Sequence, residues 1–225
     1  MNQERLVAYS LSSFIAHLEA VSRSMPYAAI IDWYGPYGSV KQAKAAVRKD
    51  GFGEVLYLAI GSIDRQKTAH IQYVGITLDF TVRLGTGHTI RQYVQEEGLS
   101  LYLGVISSQA IAGKRASYQN KKHDRLVYLA ESAMAFFLAL PLNRNKRCSP
   151  PKDSVVVFNR WWKISDDGEV RKWRRPHPDW PDFIEYDEYS EAGSVVWHGK
   201  RRKHFNADAI ADMIAKASAD LARSE

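Results

Sequence analysis

Residues 55–88, VLYLAIGSIDRQKTAHIQYVGITLDFTVRLGTGH, carry the pattern on which the fold turns. Residues 54–60 form a short, nearly continuous apolar run, GSIDRQKTA is polar and turn-like, and HIQYVGIT is a second strand. This order predicts an antiparallel hairpin with one tyrosine on each strand, Tyr57 and Tyr73. Asp79 can then cap a short helix containing Phe80, Val82 and Arg83, which Gly85 and Gly87 break before His88.

Downstream, TIRQYVQEE reads as a helix that stops at Gly98, and LSLYLGVIS alternates well enough for a third strand. A basic, polar connection, GKRASYQNKKHDR, leads into the apolar helix LVYLAESAMAFFLALP, which Pro141 terminates. Strand, strand, helix, helix, strand, helix predicts an α/β sandwich on a three-stranded antiparallel sheet. Upstream, Leu11, Phe14, Ile15, Leu18 and Val21 recur at helical spacing. PYAAIIDWYGPYG reads as a turn-rich link, and Ser39 can cap the helix VKQAKAAVRKD, which closes at Gly51. After Pro150-Pro151 the composition changes. VVVFNRWWKI, an Asp166-Asp167-Gly168 turn and EVRKWRR predict a hairpin, FIEYDEY and SVVWHG two more strands, and Asn206 starts a last helix. Three segments are expected: an N-terminal helical extension (1–52), the sandwich (53–148), and a tryptophan-rich basic extension, rich in strand and ending in a helix (149–225).

The chain has 225 residues and ordinary globular proportions, 45% hydrophobic and 25% charged. One cysteine, Cys148, excludes an internal disulfide framework or cysteine-rich zinc site. Neither a secretory leader nor an apolar run of the ~18 residues that a membrane span requires is evident, so a cytoplasmic location is expected. The net charge of +6 favours polyanionic partners.

Some residues stand out chemically. Glu131 interrupts an almost wholly apolar helix, where an unpaired carboxylate is costly. It either lies on a solvent stripe, is neutralised by an arginine, or holds a hard divalent cation. Arg83 offers an always-charged fork suited to a phosphate, or is an ordinary surface arginine. The tyrosines are either core residues with a hydroxyl at the rim or partners in phosphate chemistry.

As a set, Tyr73-Val74-Gly75, Thr77, Arg83, His88, Glu131 and Pro141-Leu142-Asn143 resemble the GIY-YIG nuclease family, over roughly residues 55–143. Val55-Leu56-Tyr57 keeps the first tyrosine but lacks the glycine and isoleucine of the family pattern. The resemblance implies a GIY-YIG-like fold and a metal-dependent DNA endonuclease, restriction-type or from a mobile element. It implies catalytic roles for Tyr57, Tyr73, Arg83, His88, Glu131 and Asn143. Glu131 would hold one Mg²⁺ or Mn²⁺, Tyr57 would take the proton of the attacking water with His88 as relay, and Arg83 would neutralise the phosphate. Asn143 would fix the start or edge of the first strand of the hairpin through its amide. Duplex DNA is the expected partner, and a double-strand cut requires either a homodimer or two sequential nicks.

In the C-terminal segment Arg160, Lys163, Arg174, Arg175, Lys200, Arg201, Arg202 and Lys203 interleave with tryptophans, a composition suited to DNA binding. Tryptophans that simply pack an appended sheet are the plainer account. The competing function is a non-cleaving nucleic-acid-binding protein on the same scaffold.

Overall fold

In the computed structural model, residues 27–64, 66–85, 87–107, 125–165, 167–172, 177, 179–197 and 201–223 are described. The predicted helix over 4–24 and most of the basic connection lie outside them. Strands β2 (Val55–Gly61) and β3 (His70–Thr77) form the expected antiparallel hairpin, and β4 (Ser100–Ile106) pairs antiparallel with β2. Asp79 caps α2 (Phe80–Arg83), accepting from the backbone N–H groups of Thr81 at 2.8 Å and Val82 at 3.1 Å.

The sheet does not stop at three strands. PYAAIIDWYGPYG, read from its prolines and glycines as a link, contains strand β1 (Tyr27–Tyr37), which pairs antiparallel with β4 and parallel with β5 (Val155–Ile164). From β5 the sheet continues through β7 (Pro181–Asp187) and β8 (Ala192–Trp197) to β9 (Arg201–Phe205), while the short β6 (Val170–Lys172) pairs with β5. The order β3-β2-β4-β1-β5-β7-β8-β9 makes one mixed, nine-stranded sheet, and this corrects the expected sandwich on a three-stranded antiparallel sheet. The cause lies in β1: Ala29, Ile31 and Trp33 are fully buried on one side and Asp32 nearly so on the other. A strand covered on both faces loses the alternation that marks a half-exposed one.

The sheet is strongly curled, a half-barrel. His70 on β3 reaches Asp179, just before β7, at 3.2 Å although four strands separate β3 from β7. One apolar cluster draws on eight strands and fills the inside of the curl around helix α4 (Arg125–Phe137), with Leu56, Leu58, Val74, Trp33, Trp161, Met134 and Phe137 among its members. A second cluster covers the opposite face of β2 and β4, where Tyr57, Ala59, Leu101 and Leu103 meet helices α1 (Val40–Asp50), α2 and α3 (Thr89–Glu96). Helix α5 (Ala207–Ala222), capped by Asn206 as expected, packs on β9. Arg201, Arg202 and Lys203, read for their charge with no element assigned, lie in the edge strand β9.

Candidate active site

Alternation along β2 sends Leu56 and Leu58 inward to α4 and Tyr57 to the outer, helix-covered face. Tyr73 joins Tyr57 there by the same alternation, since Gly75 pairs with Tyr57 and Tyr73 with Ala59; just beyond, Ile60 pairs with Ile71, leaving Gln72 as the extra residue of a bulge. A bulge resets the pleat and re-aims side chains, so Ile71 and Tyr73 sit on opposite faces. The two phenol rings lie 5.7 Å apart. Their approach depends on Gly75, where an added Cβ would stand 2.5 Å from Tyr57 Cζ and 2.7 Å from Tyr73 Cε1. Here the glycine of the Tyr-Val-Gly motif has a steric reason.

His88 is the N-cap of α3 and closes the cluster. Its Nδ1 accepts from the Ile90 backbone N–H at 3.2 Å, and its Nε2 lies 3.2 Å from the Tyr57 hydroxyl. A neutral imidazole carries one proton, and Nδ1 is engaged as an acceptor, so Nε2–H donates to the Tyr57 oxygen. Burial, aided by the Arg83 charge, holds the His88 pKa below the ordinary histidine value, which keeps it neutral. The Tyr57 proton is therefore free to point elsewhere, and His88 orients the phenol rather than receiving its proton.

Arg83, at the end of α2, is exposed, and its guanidinium interacts with both tyrosine oxygens, first that of Tyr57. Tyr57 itself is fully buried. That burial, reinforced by neighbouring Tyr73, pushes its hydroxyl pKa far above the ordinary tyrosine value, and Arg83 offsets only part of the rise. Of the cluster, Tyr57 is buried, whereas Tyr73 and His88 are half-buried and Arg83 is exposed.

Asn143 braces the second strand of the hairpin, β3, rather than the first. Its Oδ1 accepts from the Val74 backbone N–H at 2.8 Å and its Nδ2 donates to the Val74 carbonyl at 2.7 Å. The Leu142 N–H also bonds the Gln72 carbonyl at 3.1 Å, so this segment lines the outer edge of β3. Leu140 belongs to the inner cluster and Leu142 packs on the outer one, so the chain crosses the sheet edge here.

Glu131 lies on α4, inside the curl, whereas Tyr57 faces the outer side. Only 3% of it is exposed, and it does not occupy a solvent stripe. Its Oε2 is salt-bridged by the ammonium of Lys146, in the 3₁₀ turn Lys146–Cys148, which also rests 4.7 Å from the centre of the Tyr128 ring. No sequence signal marked Lys146; it meets Glu131 only because the chain turns back after Asn143. Among the described residues no group of three or more His, Cys, Asp or Glu side chains could hold a metal ion. A single carboxylate still suits Mg²⁺, which keeps several waters and takes phosphate oxygens for its other positions. The cation seen at Glu131 is the Lys146 ammonium itself.

The basic residues are less uniform than their sequence suggested. Arg160 is committed to Asp32, donating from Nε at 2.6 Å, and Arg202 to Glu185 at 3.1 Å. Lys163 is exposed on β5, Lys203 is exposed on β9 over the Phe205 ring, and Arg201 opens β9. Arg174, Arg175 and Lys200 lie outside the described residues. Trp161 and Trp180 are buried in the inner cluster, so these two pack the sheet.

No family model, curated protein or solved structure matches the chain. The likeness to GIY-YIG nucleases thus rests on the quoted residues alone. No helix among the described residues is long and apolar enough to cross a membrane.

Proposed function

We propose that this protein hydrolyses phosphodiester bonds in DNA as a metal-dependent endonuclease. The observation that carries this is the convergence of Tyr57, Tyr73, Arg83 and His88, from two strands and two helix ends, on one face of the sheet. Arg83 grips the non-bridging oxygens, where charge grows in the transition state. Tyr73 partners the attacking water. Tyr57, whose proton is strongly held, fixes the spacing of the group through His88 and Arg83. Glu131 is the residue that would hold Mg²⁺ or Mn²⁺, and the bound cation would supply Lewis-acid stabilisation of the phosphate. Glu131 stands on the inner side of the sheet and the tyrosines on the outer, and the segment around Asn143 crosses the edge of β3 between the two sides. Lys163 and Lys203 are the exposed basic residues offered to the DNA backbone.

Purified protein with Mn²⁺ or Mg²⁺ is expected to nick or cut plasmid, branched or methylated DNA. Arg83→Ala should lower the rate by about a hundredfold or more while duplex affinity stays within a few fold. Binding without cleavage across all these substrates would favour the alternative, a non-cleaving nucleic-acid-binding protein.

A further inference from the structure

Glu131 already has a cation. Its side chain is 4% exposed, and Lys146, whose own side chain is 34% exposed, bridges it from the solvent side. The lysine is not a wandering surface residue. Its turn is tied down at the start by the Asn143 amide on Val74 and by the Arg147 N–H to the Asn143 carbonyl at 3.1 Å. Tyr128, one turn before Glu131 on α4, supplies the ring against which the ammonium rests. Carboxylate, ring and turn thus form a seat for one positive charge.

An ammonium and a divalent ion cannot share one carboxylate oxygen, because like charges a few ångströms apart repel strongly where water is scarce. We propose that Lys146 competes with the divalent cation for Glu131, so that loading of the site requires the ammonium to swing out toward solvent. This rests on Glu131 being the metal residue of the hydrolase proposed above. A DNA phosphate favours the exchange in two ways: it offers the displaced ammonium a new anion, and it contributes oxygen ligands to the incoming ion. Metal binding is then weak in free protein and tightens when DNA is present. Lys146 holds a positive charge against the buried Glu131 carboxylate in the interval.

The test is Mn²⁺ binding by full-length protein, followed through the electron paramagnetic resonance signal of the free ion, without DNA. Lys146→Gln should bind at least tenfold more tightly than wild type, whereas Lys146→Arg, which keeps the charge, should stay as weak as wild type. Glu131→Gln/Lys146→Gln should lose the gain. Thermal unfolding gives a second readout: Lys146→Gln should melt lower than wild type in chelator and recover with Mn²⁺. Equal affinities for wild type and Lys146→Gln, in protein that melts cooperatively, would overturn the proposal. So would undiminished cleavage by wild type in chelator, which would leave the hydrolase standing with Lys146 as its working cation. A tighter-binding Lys146→Gln in a protein that cuts no DNA would uphold the competition and sink the hydrolase.

Discussion

His88 is held at both ring nitrogens, and its titration should therefore show in the stability of the protein. Its pKa in the folded state lies below the ordinary value of about 6.5. Above that value His88 is neutral whether the chain is folded or not, and its contribution is fully present. As pH falls below it, the unfolded chain takes up a proton that the folded site resists, so stability declines until the folded imidazole is itself protonated. His88→Asn keeps an N-cap acceptor but does not titrate. Urea midpoints measured from about pH 7 to 5 should fall less steeply for His88→Asn than for wild type. Parallel curves for the two proteins would show that His88 is not the group responsible. Side-chain chemistry at this scale was partly legible in the sequence. Tyr73, Arg83 and His88 were found by motif, but the direction in which the proton of His88 points needed the bond from Ile90.

Among the elements, edge strand β3 is where sequence and tertiary contacts combine most tightly. Its outer rim would expose the Val74 N–H and C=O, and the buried Asn143 side chain satisfies both. Asn143→Ala leaves two buried backbone groups without their partner, at a cost of about 2–4 kcal/mol. A fall of that size in the denaturant-derived stability is expected, with loss of DNA cleavage since β3 carries Tyr73. A change below about 0.5 kcal/mol, the usual range for surface substitutions, would mean that water replaces the amide. Gly75→Ala addresses the same strand from the other side, where a methyl group meets both phenol rings. It should uncouple the Tyr57–Tyr73 pair, visible as altered near-ultraviolet circular dichroism and reduced cleavage, and an unchanged spectrum would refute the contact. The cap by Asp79, the cap by Ser39 and the αL stop at Gly51 could all be read locally, since each depends on residues within one turn. The bulge at Gln72 could not, because it is defined against β2 rather than within β3.

At the level of the whole molecule, the hairpin that carries the tyrosine cluster forms one end of a sheet that continues far beyond it. β4 is paired on both sides, to β2 and to β1, and the inner cluster continues from Leu56 and Val74 through Trp161 and Ile184 to Phe205. A fragment limited to residues 53–148 would expose the β4 edge and leave α4 without the far wall of its core. Such a fragment should show no cooperative melting transition, whereas the full chain should unfold in one step. A cooperative fragment would establish 53–148 as a self-sufficient unit. The same continuity explains why buried tryptophans lie among basic residues. Trp161 and Trp180 fill the curl, while Lys163 and Lys203, on the same strand faces as Trp161 and Phe205, are exposed.

By itself the sequence determined what short-range chemistry controls: the β2–β3 hairpin, the helix caps, the apolar α4 with one acid in it, and the residues that form the tyrosine cluster. Those signals act over a few residues, through turn propensity, capping and periodicity. Only the tertiary structure decided that PYAAIIDWYGPYG is a central strand, since its parallel partner β5 lies more than a hundred residues away and both its faces are covered. It also decided that Lys146 bridges Glu131. A carboxylate in an apolar helix must be neutralised, and whether by a metal, an arginine or a lysine depends on where the returning chain places its charge. Here the turn after Asn143 brings Lys146 to it.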